Sequence, residues 1–431
     1  MQLQRQLGVF GAVMMGLGSI VGTGVFVSIG IGAGIAGPAV VLAIALAALV
    51  ATCNGLSSAQ LAASHPVSGG TYEYGYQYLN HWFGFTAGWM FLSAKSASAA
   101  TAALGFAGYL LNVAGVESTL LRTGMAVAAV ALLTVITVGG IRRSNLTNIV
   151  IVTVTLLALV FFVLAGLPTF FANGTTNFTP FFAPGRGASG DTSPWQALLH
   201  ATALMFVAYT GYGRIATMGE EVREPATTIP RAIITTLIVT ALLYGGVGLV
   251  AVGTVGAANY ATLTVGTSAP LETIAESFAI PGAGLVLAIG AMTAMLGVLL
   301  NLILGLSRVL LAMGRRGDMP AATALIDAAG TTPYVAVIVM GIVIVLLALI
   351  GNVKTTWSFS AFTVLIYYAL TNLAALRLPP AAQRFPRCIA VAGVVACLFL
   401  AFWVEPLVWG SGLALLAVGL IWHAVRRGSG Q

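Results

Sequence analysis

The residues best able to do chemistry sit where the sequence leaves least room for water. Lys95 lies in Trp89-Met-Phe-Leu-Ser-Ala-Lys-Ser-Ala-Ser98, roughly ten or more residues from either end of an apolar run, too deep to snorkel without strain. A mid-membrane ammonium costs at least a few kcal/mol and is by default a functional group. It could carry a coupling proton, stand as a fixed cation where an ion would bind, or serve structure by donating to carbonyls. Two further segments are dense in glycine: Gly16-Leu-Gly-Ser-Ile-Val-Gly-Thr-Gly24 and Phe206-Val-Ala-Tyr-Thr-Gly-Tyr-Gly213. Glycine costs about 1 kcal/mol per residue in a helix relative to alanine. Such density inside apolar runs marks either close helix packing or a broken helix. Other chemistry has no support. No G-x-S-x-G or H-E-x-x-H motif is present, and these are the patterns that place a nucleophile or a zinc ion. Cys53, Cys388 and Cys397 form no CxxC pair, and His65, His81, His200 and His423 have no metal spacing. Neither a metal site nor a cofactor is expected.

Composition decides which elements must hold these residues. Of 431 residues, 59% are hydrophobic and only 7% charged, against roughly 25% charged in a soluble domain. The mean hydropathy is +1.00. A charged skin cannot be built from this chain, which excludes a soluble enzyme, a nucleic-acid binder and a disordered protein. What remains is an all-α polytopic membrane protein. Runs of about 20 apolar residues give about twelve candidate spans. They cover 8–30, 38–62, 83–111, 122–140, 146–168, 195–219, 232–255, 280–313, 333–351, 355–376, 387–403 and 406–425. The first run lacks an A-x-A exit and reads as a retained helix rather than a signal peptide. The loop from Thr254 to Ile280 carries Glu272 and Glu276 at i,i+4, which predicts a short surface helix with one polar face. The net charge of +7 comes from 18 Lys+Arg against 11 Asp+Glu. With the N-terminus inside, most arginines fall on the inner side, and only Arg122, Arg186 and Lys354 on the outer. The positive-inside rule therefore places both termini in the cytoplasm.

Helices 1 and 6, which carry the glycine-dense segments, are five apart. Matching interruptions in corresponding segments of two halves point to an inverted-repeat transporter. Five stretches then resemble one family, the amino acid permeases of the amino acid–polyamine–organocation superfamily. Gly18-Ser-Ile-Val-Gly-Thr-Gly-Val-Phe26 resembles its helix 1 signature, and Pro66-Val-Ser-Gly-Gly-Thr-Tyr-Glu-Tyr74 its loop after helix 2. Phe206-Val-Ala-Tyr-Thr-Gly-Tyr212 is similar to its helix 6 break. Gly219-Glu-Glu-Val-Arg-Glu-Pro225 with Ile229-Pro-Arg-Ala232 resembles the loop that follows, and Ser307-Arg-Val-Leu-Leu-Ala-Met-Gly-Arg-Arg-Gly-Asp-Met-Pro320 the end of helix 8. The helix 6 loop is most like that of bacterial relatives of the cationic amino acid transporters. The resemblance implies a five-plus-five inverted repeat of the sodium–leucine symporter type, with helices 1 and 6 broken. The first repeat would be 1–170 (helices 1–5), the second 171–377 (helices 6–10), and 378–431 would hold peripheral helices 11 and 12. Helices 1, 2, 6 and 7 would move as a bundle against a scaffold of helices 3, 4, 8 and 9.

The broken helices give that resemblance a chemistry. Unwinding at Gly22–Gly24 exposes N–H donors at a positive helix end, which suits a carboxylate. Unwinding near Ala208–Gly211 exposes carbonyls, which accept from an ammonium. An amino acid carries both groups on one carbon. The expected substrate-binding residues are Ser19, Ile20, Gly22, Thr23, Gly24, Phe206, Ala208, Tyr209 and Gly211, with Phe206 and Tyr209 closing the outer side. Many relatives carry a lysine in helix 5 before a Leu-Leu-Ala-Leu-like run, where this chain has Thr155 before Leu156-Leu-Ala-Leu159. Three accounts stay open. Lys95 does that work from helix 3; Thr155 and Thr293 hold a cation with helix 1 carbonyls; or amino acids are exchanged without an ion. The expected function is secondary transport of amino acids across the cytoplasmic (inner) membrane by alternating access, as proton-coupled symport or exchange. The expected partners are an amino acid, the lipid bilayer and a proton or sodium co-substrate, with no nucleic acid. The alternatives are a sodium-coupled symporter and a membrane sensor that binds an amino acid without moving it. A charged Lys95 lining the pocket would favour neutral substrates over cationic ones.

Overall fold

A computed structural model describes residues 7–66, 69–139, 145–182, 185–187, 190–216, 222–267, 269–327 and 332–428. Among the described residues the chain forms twelve long helical segments. Helix 1 is broken into Val9–Ile20 and Ile29–Ala36, joined through a π-turn at Gly24–Ser28. Helices 2 to 5 are Val40–Ser64, His81–Val113, Thr119–Val138 and Asn145–Asn177. Helix 6 is Pro194–Tyr209 and Gly213–Ala216 around a 3-10 turn at Thr210–Tyr212. Helices 7 to 12 are Pro225–Val255, Ala283–Arg315, Tyr334–Ile350, Val353–Leu376, Arg387–Ala401 and Pro406–Gly428. Short helices fill two loops: Thr71–Tyr78 after helix 2, and Ala257–Thr267 with Pro270–Glu276 after helix 7. A small hairpin pairs Gly185–Gly187 with Gly190–Thr192 before helix 6.

Local chemistry sets several starts. The Asn80 side chain accepts from the Trp82 and Phe83 N–H groups at the head of helix 3. Ser193 and Gln196 form a reciprocal capping box on helix 6, as Asn352 and Thr355 do on helix 10. These side chains satisfy orphan donors that lipid cannot. Large apolar residues such as Leu120, Ile350 and Leu407 are more than 80% exposed; they face the bilayer. Helix 5 runs nine residues past its expected end at 168, through Pro168 to Asn177. Neighbouring helices supply the packing that tolerates the proline. The helix expected around Glu272 and Glu276 forms, but only Glu276 is exposed; Glu272 is buried, so the helix does not have one polar face.

The described ends of the chain share one face, here the terminal face. Leu7 bridges to Val222 before helix 7, Arg384 Nη1 donates to the Ala226 carbonyl, and Gln60 Oε1 accepts from Arg384 N. On the same face Asp318, buried after helix 8, accepts from Tyr72 Oη at 2.8 Å and Tyr76 Oη at 2.6 Å. His423 of helix 12 places Nδ1 3.2 Å from Asp318 Oδ1 and Nε2 3.2 Å from His81 Nδ1. Arg316 pairs with Glu73 and lies over the Tyr76 ring at 4.3 Å. Desolvation, together with the Asp318 carboxylate, raises the phenol pKa of Tyr72 and Tyr76 far above the ordinary range, so both remain hydroxyl donors.

Helix packing obeys a shift of five. Helix 3 packs on helix 10 as helix 8 packs on helix 5. Helix 2 meets helix 6 as helix 7 meets helix 1, and helices 4 and 9 meet each other.

Candidate substrate site

Helix 1 loses its regularity at Val21. Its N–H still donates to the Leu17 carbonyl at 2.8 Å, but its backbone is extended, with ψ 104°. The next segment begins when the Gly22 carbonyl accepts from Val25 at 3.1 Å and Phe26 at 3.2 Å. The N–H groups of residues 22–24 thus form a first helical turn with no acceptor inside the helix. Helix 6 behaves differently from the expectation. It stays α-helical through Tyr209, and the interruption is a tightening at Thr210–Tyr212 rather than an open gap at 208–211. Thr210 causes this: its hydroxyl donates to the Val207 carbonyl at 2.8 Å and closes the last turn.

Two glycines let the breaks touch. A Cβ on Gly24 would stand 2.7 Å from the Ala208 Cβ, and one on Gly211 would stand 2.3 Å from the Ser19 carbonyl oxygen. Side chains from four other helices take the carbonyls that the breaks release, as buried carbonyls require. Tyr244 Oη of helix 7 bridges both breaks, 3.0 Å from the Ile20 carbonyl and 3.2 Å from that of Ala208. Tyr368 Oη of helix 10 donates to the Thr210 carbonyl at 2.9 Å. Lys95 Nζ of helix 3 donates to Thr210 Oγ1 at 2.8 Å and to the same carbonyl at 3.4 Å. Asn301 Nδ2 of helix 8 donates to the Gly18 carbonyl at 3.1 Å.

A cavity of about 370 Å³ lies between the breaks. Ser19, Ile20, Thr23 and Gly24 of helix 1 line it, with Val207, Ala208, Thr210 and Gly211 of helix 6. Lys95 and Ser98 of helix 3, Val298 and Leu302 of helix 8, and Trp357 of helix 10 complete the wall. The Thr23 hydroxyl is buried there without a hydrogen-bond partner among the described residues. Ser19, Lys95, Thr210, Gly211, Val298 and Leu302 also line a wider cavity of about 720 Å³ that runs past Gly69, Arg214 and Arg308 toward the terminal face. Among the described residues no carboxylate lines either space.

Six of the nine expected binding residues therefore meet around one space, and Lys95 joins them. Gly22, Phe206 and Tyr209 do not line it. Gly22 packs on Val298. Phe206 sets its ring edge-on to Tyr368, and Tyr209 donates to the Ile44 carbonyl at 3.3 Å. Because helix 6 continues through Tyr209, positions 206 and 209 share one helical face, and that face is turned into the packing. Thr155 and Thr293 converge on the Gly290 carbonyl, but each hydroxyl also donates to its own helix, at the Ile151 and Ile289 carbonyls. That is the usual fate of a helical threonine. Glu220 and Glu221, read with Glu224 as an inner loop cluster, lie outside the described residues; Glu224 is exposed. Sequence reasoning missed Thr210, Trp357, Tyr244 and Tyr368. Thr210 stood inside a quoted motif; the other three carry no local signal.

Tyr244→Phe removes the one O–H that the buried Ile20 and Ala208 carbonyls share. An unmet buried acceptor costs about 1–3 kcal/mol. Initial uptake kinetics of the variant should show kcat/KM down about 10-fold or more, with the folded protein recovered in wild-type amounts. Wild-type kinetics would show that the bridge is idle.

A sequence model of the amino acid permease family matches residues 11–430. An uncharacterized transporter of Mycobacterium tuberculosis is 38% identical over 99% of this chain and 92% of its own length. The branched-chain amino acid permease BcaP of Bacillus subtilis is 28% identical over 97% of this chain and 92% of its own. A cationic amino acid transporter of Arabidopsis thaliana is 25% identical over 87% of this chain and 62% of its own. Paired helix breaks around a mid-bundle cavity, on a chain matched from end to end, lead to one conclusion: the chain belongs to the amino acid permease family and is a multi-pass membrane transporter of amino acids, not an enzyme.

Proposed function

We propose that this protein carries neutral amino acids with apolar side chains into the cell by proton-coupled alternating access. The observation that carries the reading is the cavity between the two breaks. Thr23 and Gly24 of the open first turn line it and offer N–H donors and the Thr23 hydroxyl to a carboxylate. The Ala208 carbonyl lies opposite, with a second lone pair beside the Tyr244 bond for an ammonium. Val207, Val298, Leu302 and Trp357 surround the remaining volume with apolar surface. Lys95 lines the same wall, and its ammonium form opposes a cationic side chain. The name of the Bacillus relative, a branched-chain permease, agrees with such a pocket.

The reading includes a division of the chain. Residues 1–170 and 171–377 are the inverted repeats and 378–431 the peripheral pair, a division supported by packing that repeats at a shift of five. The terminal face is cytoplasmic in the inner membrane, as the arginine distribution asks. Lys95 stands in for the missing helix 5 lysine and docks on the helix 6 break at Thr210. The test is uptake of a labelled amino acid panel into proteoliposomes under a proton gradient, a sodium gradient or none. Accumulation of leucine-like substrates driven by the proton gradient is expected. Accumulation only with sodium would replace the proton and return Thr155 and Thr293 to the argument. Uptake only against internal substrate would indicate exchange, and binding without uptake a sensor.

A further inference from the structure

Glu272 is an acid buried away from water and away from any cation. It lies on the Pro270–Glu276 helix, on the face opposite the termini, and is 4% exposed. One carboxyl oxygen, Oε2, has no hydrogen-bond partner among the described residues; the carboxyl also bonds Asn112 at the end of helix 3. The helix that carries it rests on the π-turn of helix 1, on helices 7 and 8, and on the Ala257–Thr267 helix. The nearby stretches of those long helices, 24–36, 245–255 and 283–294, contain no ionisable residue. The titratable groups around it are Tyr109 of helix 3 and Glu276 of its own helix, while Tyr260 of the Ala257–Thr267 helix faces Tyr109. Asn112 also lines a polar cavity of about 860 Å³ together with Glu117, Ser118 and Arg122.

We propose that Glu272 is a proton-binding site that governs closure of the face opposite the termini: its helix settles on helix 1 only with the carboxyl protonated. Tyr109 ties the two, since it stands against Glu272 and donates to the Phe26 carbonyl of the π-turn at 2.9 Å. A bare carboxylate in this place has no compensating charge, and burying one is strongly unfavourable. Burial, reinforced by Glu276, pushes the carboxyl up to about 7, against the Asn112 bond that lowers it. With that helix lifted, water would return the carboxyl to the ordinary ~4.3. The sign follows from which state holds the proton. Between those two values closing takes up one proton, so the closed-to-open ratio falls tenfold per pH unit as pH rises. Above about 7 both states are deprotonated and the dependence ends.

The proposal rests on alternating access for its transport consequence and not for the proton site itself, and the experiment separates the two. Hydrogen exchange of the full-length protein, corrected for intrinsic rates, is followed at residues 24–36 and 270–276 from about pH 7.5 to about pH 5.5. Protection should rise roughly 20-fold across that range. Glu272→Gln, which mimics the protonated acid, should be protected at both ends and vary less than twofold, while Glu276→Gln should keep the pH dependence, displaced toward lower pH because the charge that reinforces the shift is gone. Substrate counterflow in proteoliposomes at equal pH on both sides should show the same pH dependence, lost only in Glu272→Gln. No pH dependence of protection in the wild type, or the same dependence in Glu272→Gln, overturns the proposal even if the variant folds poorly. If protection behaves as expected while no amino acid moves, the proton site stands and the transport reading falls.

Discussion

Gly211→Val should abolish uptake, with initial rates down at least 100-fold while the protein still folds and elutes as a single species. A side chain at 211 would begin 2.3 Å from the Ser19 carbonyl oxygen and 2.4 Å from its carbon. These are backbone atoms, so no rotamer change can move them aside. Overpacking a core costs about 1–3 kcal/mol where side chains can adjust. Here the strain falls on the contact between the two breaks, and 100-fold in rate corresponds to about 2.7 kcal/mol. Gly24→Val should act alike, because its Cβ would meet Ala208 at 2.7 Å. Gly245 of helix 7 makes the control: nothing lies within 4 Å of a Cβ placed there, so Gly245→Ala should transport normally. Normal uptake by both Gly211→Val and Gly24→Val would mean that these glycines are packing fillers and that the breaks need not touch.

The contrast between these glycines shows what the sequence could reveal. Density of glycine within an apolar run was visible, and so was its pairing across helices 1 and 6. Which glycine faces backbone and which faces lipid was not, because Gly245 and Gly211 look alike in one dimension. The spans were legible because a bilayer imposes a length and a composition on every crossing. Their ends were less so: the fifth apolar run was read as ending at 168, yet helix 5 continues through Pro168 to Asn177. The loop acid Glu272 shows the same limit. Spacing with Glu276 predicted a helix, but spacing is blind to what packs on top of it, and Glu272 turned inward.

The supports of the site were the least legible part. Tyr244, Trp357 and Tyr368 sit in apolar helices, where an aromatic residue is ordinary. Their roles come from single hydrogen bonds to carbonyls more than a hundred residues away in the chain, apart from the bond between Tyr244 and Ala208. The join between Asp318, Tyr72, Tyr76 and His423 is of the same kind. It fastens helix 12 to the end of helix 8 and to the helix after helix 2. A polar contact between distant segments leaves no periodic trace, because periodicity records which face of a helix is apolar and not what it meets. Lys95 was the exception: a lone charge in an apolar run announces itself, and only its partner, Thr210, had to come from the fold.

That partner gives the second large effect. Lys95→Met should raise the preference for lysine or arginine over leucine, measured as a ratio of kcat/KM values, by about 30-fold. Two positive charges about 8 Å apart at an effective dielectric of about 20 repel by about 2 kcal/mol, which is the penalty the variant removes. The break itself should survive, since Tyr368 still holds the Thr210 carbonyl at 2.9 Å and Thr210 still closes on Val207. Leucine uptake should therefore fall far less than in Gly211→Val. The pH dependence separates the two roles open to this lysine. A fixed cation leaves proton-driven accumulation intact when methionine replaces it, whereas a proton carrier takes the coupling with it. An unchanged substrate ratio together with lost proton drive would move Lys95 from selecting the substrate to carrying the proton, and would take that task away from any acid on the opposite face.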